Sequence, residues 1–149
     1  MGTFSQRSTT RVAIGDLLDT SVLLAQLLTE DRRPPASLWA EPLIASRLLE
    51  YETWVRLNAA GCAASHGDAA RKLLARTSLI ELSPLVLQRA LEPFPRPVPT
   101  VDALHLASMH FLAEQRLRPR LASYDQRLLE AARAMRIELF DLDRPTGKI

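Results

Sequence analysis

Several common ingredients are scarce in this chain, and each shortage excludes something. Among 149 residues there is one cysteine, Cys62. No disulfide framework can form within the chain, and a reducing compartment is the fitting one. Lysine is almost missing: of 19 basic residues only Lys72 and Lys148 are lysines. The positive charge is therefore guanidinium, which suits bidentate contact with phosphate. It is scattered along the chain and leaves a net charge of only +2, so there is no basic tail. No apolar run reaches the roughly 20 residues of a membrane span, and Gln26 breaks the longest one. Residues 1–11 are polar and lack the apolar centre of a signal peptide. Gln6 stands where myristoylation requires Ser or Thr. The expectation is a cytoplasmic protein with no membrane attachment.

What is present is ordinary for a globule: 47% apolar and 24% charged residues. The length suits one domain with a real core. We divide the chain into a polar arm at 1–11, a domain at 12–143 and a polar tail at 144–149. There are no internal repeats. The stretch at 17–24, Leu-Leu-Asp-Thr-Ser-Val-Leu-Leu, organises the rest. An apolar run ends in an acid, two hydroxyl residues follow, and an apolar run resumes.

Apolar periodicity and punctuation predict alternating strands and helices. A first strand is expected over 12–19, interrupted by Gly15 and Asp16 so that only 14–18 pairs firmly. A helix follows over 22–28, a short one at 37–40, and a second strand at 42–46. The helix predicted over 47–60 stops at Gly61. Leu48, Val55 and Ala59 share one apolar face of it, and Glu52 lies on that face while Glu50 points away. Further helices are expected over 67–76 and 84–91, around a third strand at 78–82. Four prolines make 92–99 an irregular, stiff connection. A strong helix spans 100–115. A short strand at 121–122 leads to a helix through Met135, and a last strand occupies 137–142. Such alternation implies an α/β fold with a mainly parallel sheet.

Four acids recur at similar places in this pattern, each with an innocent explanation of its own. Asp19 follows the first strand and could simply cap the next helix. Glu52 sits on an apolar face, where an ion pair with Arg56 at i+4 would account for it. Asp102 falls in the first turn of its helix, where the helix dipole favours negative charge. Asp125 is also explicable as a first-turn acid, after a capping box made by Ser123 and Gln126. His105, one turn beyond Asp102, is expected to be a packed, hydrogen-bonded residue and not a ligand. Four coincidences are less economical than one shared cause. In a parallel sheet the strand carboxyl ends meet along one edge, where open α/β sheets place their sites. Carboxylates without histidine or cysteine partners are hard oxygen ligands for Mg²⁺ or Mn²⁺. Such an ion activates water and steadies charge on a phosphoryl oxygen, so phosphodiester hydrolysis follows.

The stretches at 17–24, 45–52 (Ala-Ser-Arg-Leu-Leu-Glu-Tyr-Glu), 100–107 (Thr-Val-Asp-Ala-Leu-His-Leu-Ala) and 122–132 (Ala-Ser-Tyr-Asp-Gln-Arg-Leu-Leu-Glu-Ala-Ala) resemble the four acidic motifs of PIN domains. They are most similar to those of VapC-type toxins from bacterial toxin–antitoxin pairs. The resemblance implies a three-layer α/β/α fold with a sheet of about five strands, and a Mg²⁺- or Mn²⁺-dependent endoribonuclease. It also implies a homodimer, and neutralisation by a small, DNA-binding antitoxin. On the matching positions the catalytic and metal-holding acids are Asp19, Glu52, Asp102 and Asp125. The glutamate motif counts six residues from a serine like Ser46, which selects Glu52 over Glu50. Thr20, Ser21 and Ser123 would hydrogen-bond the acids or a metal-bound water. The chain departs from the family at Gly15-Asp16, which points to a short or bulged first strand, and in its longer arm.

Two other classes compete. A receiver-like signalling domain also gathers acids at strand ends, but it wants an adjacent acidic pair and a lysine after a late strand. Asp16 and Asp19 are three apart and neither lysine is placed for it. An inactive PIN fold serving as a binding module is the other, and the presence of all four acids argues against it.

Overall fold

The computed structural model describes residues 15–28 and 32–143; the arm at 1–11 and the tail at 144–149 lie outside them. Each strand is short and leads into a helix. In chain order the elements are β1 (Asp16–Leu18), α1 (Thr20–Leu28), α2 (Ala36–Trp39), β2 (Leu43–Ser46), α3 (Leu48–Ala59), α4 (Ala63–Ala75), β3 (Thr77–Ile80), α5 (Pro84–Ala90), α6 (Thr100–Glu114), β4 (Arg120–Ala122) and α7 (Gln126–Ala134). The strands form one sheet in the order β3-β2-β1-β4, with every pairing parallel.

Strand side chains alternate between faces, and here that alternation separates two cores. Leu17, Ile44 and Leu121 point one way and pack with Leu106, Met109, Leu112, Leu128 and Leu129 of α6 and α7. Leu18, Leu43, Ala45 and Ala122 point the other way, onto Val22, Leu23, Leu38 and Leu49 of α1, α2 and α3. Both faces are covered, so the strands are largely apolar, as a parallel sheet requires, and polar residues such as Asp16, Ser46 and Arg120 stand at strand ends. The result is the expected three-layer α/β/α arrangement.

The structure revises several sequence expectations. The first strand begins at Asp16, and Ile14 lies outside the described residues. Asp16 does not break the strand. It is fully buried, pairs in register with Arg120, and accepts that arginine's Nε–H at 2.8 Å. Gly15, at φ +94°, brings the backbone against Pro42, whose carbonyl accepts Asp16 N–H at 3.0 Å. The last strand, expected over 137–142, shrinks to one parallel bridge between Leu121 and Leu139, so the sheet has four strands and a single-bridge edge.

Helix α3 is rotated from its predicted phase. Its buried residues are Leu49, Thr53 and Leu57, while Val55 is 64% exposed. Threonine on the inner face hid this stripe from the apolar count; its hydroxyl is satisfied by donating to the Leu49 carbonyl at 2.7 Å. Glu52 therefore flanks the buried stripe instead of sharing a face with Leu48, Val55 and Ala59. The predicted Ser123–Gln126 capping box is also replaced. Asp125 is the N-cap of α7, and its Oδ1 accepts from the N–H groups of Arg127 and Leu128 at 3.0 and 3.3 Å.

Candidate functional site

All four acids stand towards the carboxyl edge of the sheet. Asp19 is the single residue between β1 and α1. Its N–H donates to Ala122 of β4 and its carbonyl accepts from Val22, each at 3.0 Å, so strand and helix both pin it. Its Oδ2 accepts the hydroxyls of Ser21 at 2.6 Å and Ser123 at 2.8 Å. Those hydroxyls are held in turn by the N–H groups of Tyr124 and Asp125. The loop after β4 and the start of α1 thus clamp one oxygen of Asp19.

Glu52 reaches in from α3. Its Oε1 accepts Thr20 Oγ1 at 2.5 Å and His105 Nε2 at 3.0 Å. Burial alone would raise its pKa, but these two donors, with the charges of His105 and Arg56, outweigh burial and hold the carboxylate below its ordinary value. The ion pair with Arg56 expected from i+4 spacing is not among its contacts. Glu50, on the outer side, pairs with Arg47 at 3.0 Å.

Three of the acids share one pattern. Asp19, Glu52 and Asp125 each commit one carboxylate oxygen to protein donors, and the other accepts no hydrogen bond from the described residues. None of these second oxygens is sealed in the interior, because among the described residues the lone buried side-chain polar atom without a partner is His105 Nδ1. Asp102 has no hydrogen bond at all from the described residues. It is 7% exposed and lines one open cleft with Asp125, Pro99 and Arg127. Burial first, then the charges of Asp125 and Asp19, push its carboxyl up to about 6.

His105 was expected to be a packed residue apart from the site. It is packed, at 0% exposure, but its hydrogen bond goes to Glu52, and its Nε2 lies 3.7 Å from Asp19 Oδ1. Against the effect of burial, the Glu52 hydrogen bond and the charges of Asp19 and Glu52 hold the imidazole above its ordinary pKa. The available signal was its three-residue spacing from Asp102, which puts both on one helix face. Leaving Nδ1 orphaned costs about 1–3 kcal/mol.

As placed, no three histidine, cysteine or carboxylate side chains among the described residues stand close enough to share one ion. The donor chemistry nevertheless fits a hard divalent cation. Carboxylate oxygens are turned free of protein donors, and Asp102 is perturbed by its acidic neighbours. No helix among the described residues is long and apolar enough to cross a membrane.

A family model described as the PIN domain matches residues 17–134. No curated protein matches the chain. Among solved structures, the Mycobacterium tuberculosis toxin VapC20, described as cleaving the sarcin–ricin loop, superposes with a TM-score of 0.63 at 21% identity. That alignment covers 88% of this chain and all of that one. A chain from a toxin–antitoxin complex of Klebsiella pneumoniae superposes with a TM-score of 0.50 at 18% identity, over 75% of this chain and 88% of that one.

Proposed function

The chain belongs to the PIN domain family, and from that premise we propose that it is a metal-dependent endoribonuclease acting as the toxin of a VapC-type toxin–antitoxin pair. The observation that carries the reading is the half-committed state of Asp19, Glu52 and Asp125. Each has one oxygen fixed by protein donors and one left for another partner, beside an Asp102 with no donor. A helix cap alone accounts for the free oxygen of Asp125, but an isolated cap does not explain why the charges of Asp125, Asp19 and Glu52 all bear on Asp102.

Asp19, Glu52, Asp102 and Asp125 would hold the cation, Mg²⁺ or Mn²⁺ by the hardness of the donors. Once bound, such an ion supplies Lewis acidity towards water and a phosphoryl oxygen. The protein's own contribution is placement. Ser21 and Ser123 fix Asp19, and Thr20 fixes Glu52. Asp102 holds its proton up to about pH 6, and a cation beside it favours the ionised form. Arg127, in the wall of the cleft, supplies a guanidinium for RNA phosphate.

The VapC likeness supports a small DNA-binding antitoxin as partner, and the homodimer is carried over from the same resemblance. Carboxylates at the cleft suit an antitoxin arginine. The test is cleavage of RNA by the purified protein. Loss of cutting in EDTA, recovery with Mg²⁺ or Mn²⁺, and products bearing 5′-phosphates are expected. Undiminished cutting in EDTA overturns the metal assignment. Harmless expression together with no partner in pull-downs from its host overturns the toxin assignment.

A further inference from the structure

We propose that His105 is a positioning residue, which together with Thr20 locks one oxygen of Glu52 so that the other is left free for a cation. The proposal rests on the metal-site reading above. Its starting point is an imbalance in the ring. His105 is fully buried, and its Nδ1 has no hydrogen-bond partner among the described residues. A histidine retained only for packing gains nothing from an unpaired buried nitrogen, since such groups are normally satisfied. The other nitrogen explains the placement: Nε2 lies 3.0 Å from Glu52 Oε1 and 3.7 Å from Asp19 Oδ1. Nε2 is the donor both in the imidazolium and in the neutral tautomer that carries its proton there, so the role requires no change of charge.

Glutamate needs such help more than the aspartates do. Its side chain has three torsions, and the last is broad, so an unrestrained carboxylate samples many orientations. Thr20 at the start of α1 and His105 on α6 approach Oε1 from two separate helices. Exchanging the two oxygens by rotation would break both bonds at once. Oε2 is therefore held in place before any cation arrives. Partners of this kind, acting behind a ligand, typically change metal affinity by about 10–100-fold when removed.

The test compares His105→Met with His105→Gln in the full chain. The two side chains are similar in length and shape, and only glutamine offers a donor. Mn²⁺ binding is followed by the electron-paramagnetic-resonance signal of the free ion, beside melting of the metal-free protein. His105→Met should bind Mn²⁺ about 10–100-fold more weakly, and His105→Gln should recover most of that loss, with comparable metal-free melting temperatures. Thr20→Val, which removes the other donor, should also weaken binding. Wild-type Mn²⁺ affinity in His105→Met, with weak binding in Glu52→Gln, overturns the positioning role alone. Wild-type affinity in Glu52→Gln overturns the metal site and the positioning role with it. If neither His105 variant folds, Thr20→Val decides, and unchanged affinity there overturns the proposal.

Discussion

Glu50 and Glu52 are two residues apart on one helix, yet they face different partners. Glu50 is matched by Arg47, which also pairs with Glu81. Glu52 is met by Thr20 and His105. Glu52→Gln should lower RNA cleavage by at least about 100-fold, while Glu50→Gln stays within a few-fold of wild type, measured as kcat/KM; 100-fold corresponds to about 2.7 kcal/mol of transition-state stabilisation. Equal losses would remove the distinction. The family-like spacing from Ser46 selects the glutamate that meets Thr20 and His105, whereas the helical-face argument reached the same residue from an incorrect phase. Side-chain donors could be anticipated where they adjoin an acid, as with Thr20, Ser21 and Ser123. His105 was less legible, because its partners Glu52 and Asp19 come from distant parts of the chain. A histidine among apolar residues reads as core until topology reveals what it faces.

Among the elements, the alternation of strands and helices was legible because each short apolar run is bounded by proline, glycine or a polar cap. Helix α3 was placed correctly and rotated wrongly, and that error is testable. Leu49→Ala should cost about 2–5 kcal/mol in urea unfolding, since Leu49 is fully buried. Val55→Ala should stay within about 0.5 kcal/mol, since Val55 is largely exposed. The reverse order would restore the apolar face first expected. The entry to β1 is a second local test. A Cβ at Gly15 would lie 1.8 Å from the Pro42 carbonyl oxygen, on a backbone at φ +94°. Gly15→Ala must therefore move β1 away from the turn before β2, and a loss of at least about 2 kcal/mol is expected in the same assay. The terminal strand was overread because alternating residues at its end resemble a strand whether or not an edge is available; only Leu139 makes the bridge.

Across the whole molecule, net charge hides a strong local imbalance: a chain of +2 gathers four acids along one edge of its sheet. The folded protein tolerates them through donors at Asp19, Glu52 and Asp125, and through the elevated proton affinity of Asp102. This makes stability depend on pH and on cations together. The Asp102 carboxyl, ordinarily near 3.8, is pushed up to about 6 in the fold. A raised folded value means that the native state binds the proton more tightly than the unfolded chain does. Below 3.8 both states carry it. Stability then falls as pH rises towards about 6, and the loss is complete above that, amounting to about 1–3 kcal/mol. Asp102→Asn removes the charge and keeps the shape. In EDTA it should melt higher than wild type at pH 8, by roughly 2–8 °C for a chain of this size, and at nearly the same temperature at pH 4. Added Mg²⁺ stabilises whichever protein binds it in the native state, by about 2.7 kcal/mol at a hundred times its dissociation constant. Wild type at pH 8 should gain more from Mg²⁺ than the variant does, because the variant has lost a ligand. A plain helix-start acid behaves in the opposite way. Its loss would lower stability at pH 8 by about 0.3–1 kcal/mol and leave the response to Mg²⁺ unchanged. Melts of both proteins at pH 4 and pH 8, with EDTA and with Mg²⁺, separate the two, and the second pattern would return Asp102 to the role of a dipole partner.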